Sequence, residues 1–531
     1  MSNKLIVFLF TMSILFTGAS GLVNEYILST VSTYILGNSI EQFSLTIAFM
    51  LGFMGVGGFV QKFVSDKNLL LKFSLLEISL SIIGGLTPIL IYSIYTFTPN
   101  YFTILQTLII ISMGFLIGFE IPFIIRINQT YTKSLKDNLS FILSADYIGS
   151  LIGTLIWLYV LLPNFPIYKI SFIVSASNLF IALLTFSVVS KSEKLKVKII
   201  GFILFFISFL ILILGFINSD KINKYLEQRL YNDPIIEQVT TKYQHLVITK
   251  NPIINDYRLY INGNTQFSSL DEKRYHELLV HPIMSLSNVK NKNILIIGGG
   301  DGLALRELKK YKDINSITLI DLDPDMIKFA QNSPTLKKLN KNSFNNVKIL
   351  NPDFVKQGEL IRKDKYTLHL LNIDADKMLW KLEPNQFDIV IIDLPDPSSI
   401  ELNKLYTKEF FIKLNKVMTK EAIGIIQSTS PFHAKNSFLI IGNTLKTIFP
   451  NTLPIHYNIP SFGEWGWWIF SKKADIYKDI DLKINTTFLT KDIFKASKIF
   501  GKNDLNGSKE INTLMNPKLF FNYINSSWKD Y

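Results

Sequence analysis

Asn293-Ile294-Leu295-Ile296-Ile297-Gly298-Gly299-Gly300-Asp301-Gly302, followed by Ile317-Thr318-Leu319-Ile320-Asp321, decides the fold of the C-terminal half. Asn293–Ile297 is an apolar run of strand length that enters a glycine-rich turn. A helix is predicted from about Leu303 to Tyr311, and the second strand, Ile317–Ile320, ends at Asp321. Strand, glycine turn, helix, strand and terminal acid make one half of a nucleotide-binding α/β sheet. Glycine accepts positive φ and lets the backbone approach a ligand closely. An acid at the tip of the second strand can take both hydroxyls of a ribose. Dehydrogenases and methyltransferases share this pattern.

Asp301 narrows the choice. A carboxylate in the turn repels the pyrophosphate that such turns otherwise cradle and welcomes an ammonium group, as in an S-adenosyl sulfonium ligand. Further on, the buried-strand run Phe387–Ile392 ends in Asp393-Leu394-Pro395-Asp396-Pro397. Two carboxylates three residues apart then sit at the carboxyl end of a parallel strand, where such folds bind ligands. The prolines stiffen the loop that carries them. The plain alternative is an acidic, helix-capping turn. Upstream, Ile235–Thr241, Gln244–Thr249 and Tyr257–Ile261 read as short strands, with Asn262-Gly263-Asn264 as a tight turn before Gln266. An amphipathic helix follows from about Leu270 to Ser287.

The first part of the chain has another character. A spanning helix needs about 20 mostly apolar residues, and seven segments qualify: about 4–22, 40–61, 69–96, 103–125, 139–163, 166–189 and 197–217. The first has signal-peptide features, Lys4 before an apolar run and Ala19-Ser20-Gly21 after it; with six spans to follow, it reads as a retained helix. Lys62, Lys67 and Lys72, then Arg126, Lys133 and Lys136, then Lys191, Lys194, Lys196 and Lys198 fall in alternate loops. The positive-inside rule puts those loops and the N-terminus in the cytoplasm. Seven spans then carry the C-terminal domain to the other face, against the expectation of cytosolic substrates developed below. Glu77, Glu120 and Asp146 lie inside spans, where a charge is costly. They read as interhelical hydrogen-bonding groups, Arg126 lying near the end of the Glu120 helix, with a cation path as the functional alternative.

The organisation expected is therefore a multi-pass α-helical membrane domain (1–217), a small β-strand region (234–268) and an α/β Rossmann-like domain of the S-adenosylmethionine-methyltransferase type (269–472). A tail (473–531) with a late helix near Pro517–Ile524 completes the chain. Absence of cysteine removes disulfides, thiolate catalysis and Cys-ligated metals. The six histidines are scattered, with no pair at metal-ligand spacing, so no metal is expected. The net charge of +13 comes from dispersed Lys with no basic stripe interleaved with aromatics, so no nucleic-acid partner is expected.

Taken together, the motifs resemble the spermidine synthase (polyamine aminopropyltransferase) family over about 235–472. They are Tyr243-Gln244-His245, Gln266, Tyr275-His276-Glu277, Gly298–Gly302, Asp321, Asp393–Pro397, Leu405-Tyr406, Gln427 and Pro460-Ser461-Phe462-Gly463. The multi-span half is similar to that of a membrane-attached branch of the family, which has comparable Pro-Ser-Phe-Gly-Glu-Trp-Gly motifs. The resemblance implies transfer of an aminopropyl group from decarboxylated S-adenosylmethionine to putrescine, releasing methylthioadenosine. It assigns Asp393 as general base and Tyr275 as the group that orients the nucleophilic nitrogen. Gln244, Asp301, Asp321 and the pair Asp374-Ala375 would bind the donor, with Asp353 as the alternative candidate for the adenine contact. His276, Gln266, Asp396 and Gln427 would serve the polyamine. The sulfonium is already an activated leaving group, so no metal or redox cofactor is implied. Acidic motifs without a balancing Arg or Lys favour the decarboxylated donor over S-adenosylmethionine itself.

Two positions depart from the family pattern. Phe462 stands where soluble members commonly have Tyr, and Ser398-Ser399-Ile400 replaces a Gly-Pro after the acidic motif. Loss of the phenolic hydroxyl removes one possible amine contact and bears on acceptor identity. Soluble members dimerise, so a homodimer is expected. Two other readings compete: a methyltransferase on the same fold, and a membrane transporter or sensor that binds nucleosides or polyamines.

Overall fold

The computed structural model describes residues 3–36, 39–129, 134–189, 195–353 and 367–526. The chain divides into two compact units, Met1–Asn232 and Asp233–Tyr531.

The first unit is helical: α1 (Asn3–Leu36), α2 (Ser39–Val60), α3 (Leu69–Phe97), α4 (Phe102–Ile117), α5 (Glu120–Gln129), α6 (Leu135–Ile156), a short α7 (Leu162–Asn164), α8 (Ile167–Val189) and α9 (Leu195–Gln228). Among the described residues, six helical stretches are long and apolar enough to cross a membrane: Ile40–Phe63, Leu69–Phe97, Pro99–Gln129, Leu135–Asn164, Ile167–Phe186 and Ile199–Gln228. The first of the seven expected spans, about 4–22, falls in α1 and begins on residues whose side chains lie outside the described part, so it is not among these six. The expected helix over 103–125 is two, interrupted between Ile117 and Glu120. The expected span 197–217 continues as helix to Gln228.

Small residues let helices touch along their backbones. A Cβ on Gly149 would lie 2.1 Å from the Leu15 carbonyl oxygen and one on Gly153 2.7 Å from that of Ala19, so α6 lies directly on α1. Gly114 and Gly118 meet the Met50 and Met54 carbonyls of α2 in the same way, at 2.6 and 2.2 Å. Both pairs follow the small-xxx-small spacing of helix seams in lipid. Glu77 and Glu120 are buried. Arg126 turns away from Glu120: its guanidinium donates to Asp66 (Nε, 2.9 Å) and to the carbonyls of Gln61 and Val64.

In the second unit, β1 (Ile235–Thr240), β2 (His245–Asn251), β3 (Asp256–Ile261) and β4 (Asn264–Ser268) form an antiparallel sheet in chain order. After α10 (Glu272–Leu286) the chain alternates through β5 (Lys292–Gly298), α11 (Leu303–Leu308), β6 (Ile314–Asp321), α12 (Pro324–Asn332), α13 (Pro334–Asn340), β7 (Val347–Ile349), β8 (Thr367–Asn372), α14 (Ala375–Lys381) and β9 (Phe387–Asp393). It ends through α15 (Ile400–Asn403), α16 (Lys408–Val417), β10 (Met418–Gln427), α17 (Lys435–Lys446), β11 (Asn451–Ile459), β12 (Gly463–Ser471), α18 (Lys491–Ser497) and α19 (Lys518–Ile524).

The second sheet has the order β11-β12-β10-β9-β5-β6-β8-β7, parallel from β10 to β7 with antiparallel β12 and β11 at one edge. Ile294 and Ile296 face one core layer with Leu278 and Leu305, while Leu295 and Ile297 face the other with Met378 and Phe410. Cover on both faces is why these strands read as unbroken apolar runs. The chain leaves β5 for β6 on one side and returns as β9 on the other, so the sheet reverses direction at β5. A ligand crevice forms at such a point. Residues past 473 belong to this unit: Ile476, Ile480, Leu489 and Phe494 enter one core layer and Leu519 the other.

Candidate active site

The tips of β5, β6 and β9 bring the glycine turn and two of the acids together. Gly298 pairs with Asp393 in register, and the Gly299 N–H donates to the Asp393 carbonyl at 3.0 Å. Gly298 has φ +81°, and a Cβ there would lie 2.1 Å from that carbonyl oxygen. A Cβ on Gly300 would lie 2.6 Å from the Asp321 carboxylate. The turn thus requires glycine to lie against both strand tips. Asp301, one residue before the Gly302 N-cap, accepts the Leu303 N–H at the entry to α11 at 2.9 Å.

From α10, the Tyr275 hydroxyl donates to Asp393 Oδ1 at 2.7 Å. Tyr275 packs edge-on against His276 and Phe462, at centroid distances of 4.9 and 6.2 Å. The Phe462 turn is drawn to α10 through Asp271, whose carboxylate accepts the Ser461 N–H at 2.6 Å and its hydroxyl at 3.0 Å. His276 is buried, its Nδ1 facing the Glu272 carbonyl at 2.8 Å and carboxylate at 3.0 Å. Glu272 is gripped in turn by both terminal nitrogens of Arg306, each at 2.8 Å.

On the β6 side, Asp321 accepts the Asp323 N–H at 2.8 Å. Asp323 is held by the Gln244 amide (2.9 Å) and the Thr241 hydroxyl (2.6 Å). Gln244 thus reaches the β6 tip through Asp323. Asp374 and Ala375 begin α14 just past β8, the neighbour of β6; Asp374 caps that helix and pairs with Lys404. Asp353 is exposed and paired with Lys381 at 2.8 Å, and residues 354–366 lie outside the described part.

The β9 loop ends in a second cluster. Gln427, at the end of β10, donates to the Leu394 carbonyl at 2.7 Å and lies 3.3 Å from Asp396. The Tyr406 hydroxyl accepts from Gln427 at 2.7 Å and donates to the Pro395 carbonyl at 3.0 Å. Thr429 reaches Asp396 at 3.4 Å. Gln266, by contrast, bonds within its own hairpin, to the Asn264 carbonyl at 3.4 Å.

A family model for the spermine/spermidine synthase domain matches residues 272–483. The chain is 36% identical over 518 residues to the polyamine aminopropyltransferase of Leptospira interrogans, covering 97% of this chain and 98% of that one. The chain belongs to the polyamine aminopropyltransferase family. It is also 33% identical over 522 residues to the polyamine aminopropyltransferase of Oceanobacillus iheyensis, covering 96% of each chain. The match to polyamine aminopropyltransferase 2 of Aquifex aeolicus is 36% over 513 residues, covering 96% of this chain and 97% of that one. All three alignments therefore run through the helical first unit. Among solved structures, a spermidine synthase in complex with the transition state analogue AdoDATO overlaps 51% of this chain and 88% of that chain, with a TM-score of 0.44 and 24% identity.

Electrostatics in this aminopropyltransferase site are set by burial. Burial raises the Asp393 carboxyl to about 6, aided by Asp301 and opposed by His276 and the Tyr275 hydroxyl. Burial likewise raises Asp321 to about 7, against N–H donation from Asp323 and Gly300. Asp396 is raised to about 6, again by burial, with Tyr523, Gln427 and Thr429 holding it down. Burial works against a charged His276, but the Glu272 carboxylate outweighs it and, with Asp301 and Asp393, lifts the imidazole to about 9. An imidazolium therefore faces the acids at neutral pH.

Two cations, Arg306 and Lys404, escaped the motif reading, which named His276 without its charge. Arg306 and protonated His276 stand behind the acids, and Lys404 sits on Asp374, so the acidic lining is balanced from within. The Glu272–His276 spacing of four residues on one helix was a legible signal; Arg306 had none. Glu277, His281 and Glu307 also converge closely enough to share a metal ion. Their atoms are already engaged: Glu277 accepts the N–H groups of Thr487, Phe488 and Leu489, and Glu307 pairs with His281 and Arg306.

Proposed function

We propose that this chain transfers the aminopropyl group of decarboxylated S-adenosylmethionine to putrescine or a related diamine, giving spermidine and methylthioadenosine. The observation that carries this reading is Asp393 at the crevice, against Gly298 and hydrogen-bonded to Tyr275. A primary amine is almost wholly protonated near neutral pH and cannot attack. Asp393, at about 6, is ionised there and accepts the proton as the nitrogen lone pair approaches the methylene beside the sulfonium. The C–N bond forms, the C–S bond breaks, and its electron pair neutralises the sulfur as a thioether. Much of the rate comes from holding donor and acceptor in line.

In this reading Asp321, with Gln244 acting through Asp323, holds the ribose. Asp301 faces the donor amine, and Asp374-Ala375 borders the adenine. Asp396 anchors the distal ammonium of the acceptor, and Gln427 fixes the loop that carries it. His276 serves as a fixed counter-charge to Asp393. Gln266 approaches the acceptor from β4 as a separate element. The first unit lies in a lipid bilayer, with the six long apolar helices as its spans.

The test is turnover by the detergent-purified full-length protein, with decarboxylated S-adenosylmethionine and a panel of diamines followed by mass spectrometry. Methylthioadenosine and elongated amine should appear together, and Asp393→Asn should lower their formation by about 10²–10⁴-fold with nucleoside binding retained. Asp393→Asn turning over at the wild-type rate removes Asp393 as the base.

A further inference from the structure

Asp396 is bonded by a residue from the far end of the chain. The Tyr523 hydroxyl, on α19, donates to Asp396 Oδ2 at 2.8 Å, the shortest of the three contacts to that carboxylate. The helix that brings it is sewn to the loop following Asp396. Asn403 Oδ1 accepts the Phe520 N–H at 3.1 Å, and Asn512 Oδ1 accepts the Leu519 N–H at 3.2 Å. The Asn512 amide donates to the carbonyls of Asn403 (3.4 Å) and Tyr406 (3.2 Å). Asn512, Leu519 and Phe520 are buried. A frayed terminus would have none of this.

We infer that Tyr523 is a positioning and specificity-determining residue of the amine-acceptor site, orienting Asp396 and closing the end of the site that receives the distal ammonium. The inference rests on the reading of Asp396 as that ammonium's anchor. Asp393 and Asp396 lie three residues apart on one proline-stiffened loop, so an acceptor held at both has its far end at the carboxylate that the Tyr523 hydroxyl binds. An acceptor longer by one aminopropyl unit has to extend past that contact.

The hydroxyl also governs charge. The titratable groups that interact with Asp396 are Tyr523 from α19, Tyr406 from the turn after α15 and Tyr275 from α10. Burial pushes all three phenols well above their ordinary range, so they remain neutral donors. Removing the Tyr523 hydroxyl takes away one of the bonds that keep Asp396 ionised, and the carboxyl binds its proton more tightly.

Tyr523→Phe keeps the ring and removes the hydroxyl. In the full-length protein, diamine KM should rise about five- to tenfold, with kcat at saturating amine within about twofold of wild type. The KM ratio of variant to wild type should shrink between about pH 6.5 and pH 8.5, as Asp396 ionises in both. Tyr523→Ala removes the wall, and kcat/KM for a triamine relative to a diamine should rise about tenfold. Unchanged diamine KM in Tyr523→Phe, or equal losses with every acceptor at every pH, overturns the inference. Calorimetric diamine binding reads the Tyr523 effect without turnover. Wild type that binds diamine and forms no product removes the enzymatic reading, while the two variants still decide the role of Tyr523.

Discussion

The Tyr275 hydroxyl donates to Asp393 Oδ1 at 2.7 Å, tying the helix that precedes the central strand to the tip of β9. The bond favours the ionised carboxylate, opposing the rise that burial imposes. Two consequences follow if Asp393 is the base proposed above: it is held in one orientation, and it stays charged near neutrality.

Tyr275→Phe should therefore move the acid limb of kcat/KM upward from about 6. The sign is fixed because the lost donor had stabilised the anion, so the carboxyl keeps its proton to higher pH. A net hydrogen bond of about 1 kcal/mol corresponds to roughly 0.7 of a pH unit. Activity profiles from pH 5 to 9 at fixed ionic strength check this; a limb left at the wild-type position would mean the phenol does not tune the base.

The Glu272–Arg306–His276 network should carry much of the stability of this unit. Glu272→Gln leaves buried Arg306 without its bidentate partner, and loss of one member of a buried pair costs about 3–5 kcal/mol. The pH dependence has two edges. Glu272 is held at about 2 against an ordinary 4.5, so its contribution is complete above 4.5 and fades as pH falls toward 2. His276 sits at about 9 against 6.5, so its contribution is complete below 6.5 and fades as pH rises through 9. Chemical denaturation across pH should show both edges in the wild type and a flatter profile in the variant.

Gly298→Ala should damage chemistry more than Gly299→Ala. The first adds a methyl 2.1 Å from the Asp393 carbonyl oxygen at φ +81°, whereas the second, at φ +68°, meets an Ile296 methyl at 3.4 Å and the Asp393 carboxylate at 3.5 Å, both ordinary contact distances. Each substitution strains the backbone by about 1–3 kcal/mol. Only Gly298→Ala must also push the strand tip that bears the base, and a displacement near 1 Å is worth about 10² in rate. Comparing kcat/KM with unfolding temperature for the two variants separates displacement from strain.

Much of the α/β unit could be read from its sequence because its signals are local. Asn293–Ile297 and Phe387–Ile392 are uninterrupted apolar runs bounded by glycine or acid, and both are central strands. Asp321 and Asp393 stand at strand tips because chain order alone puts the ends of β6 and β9 there. Contacts between distant segments left no trace. Tyr523 meets Asp396 across 127 positions, and Arg306 meets Glu272 across 34, with no periodicity linking either pair. In the helical unit hydropathy located the long apolar helices but missed the break at Gly118, because Ile121, Phe123, Ile124 and Ile125 carry the apolar run past it despite Glu120. The extension of α9 to Gln228 was missed for the converse reason: its last turns are polar, and hydropathy registers solvent where the helix simply continues.

The glycine seams of the helical unit have a mechanical meaning. Where α6 lies on the α1 backbone, and α4 on that of α2, no side chain stands between the helices to bend or change rotamer. Such pairs behave as stiff laminae, unable to slide or roll without driving main-chain atoms into one another. Compliance in this half of the chain must then come from the seams that side chains fill, so any rocking motion is hinged between the laminae while each one stays flat.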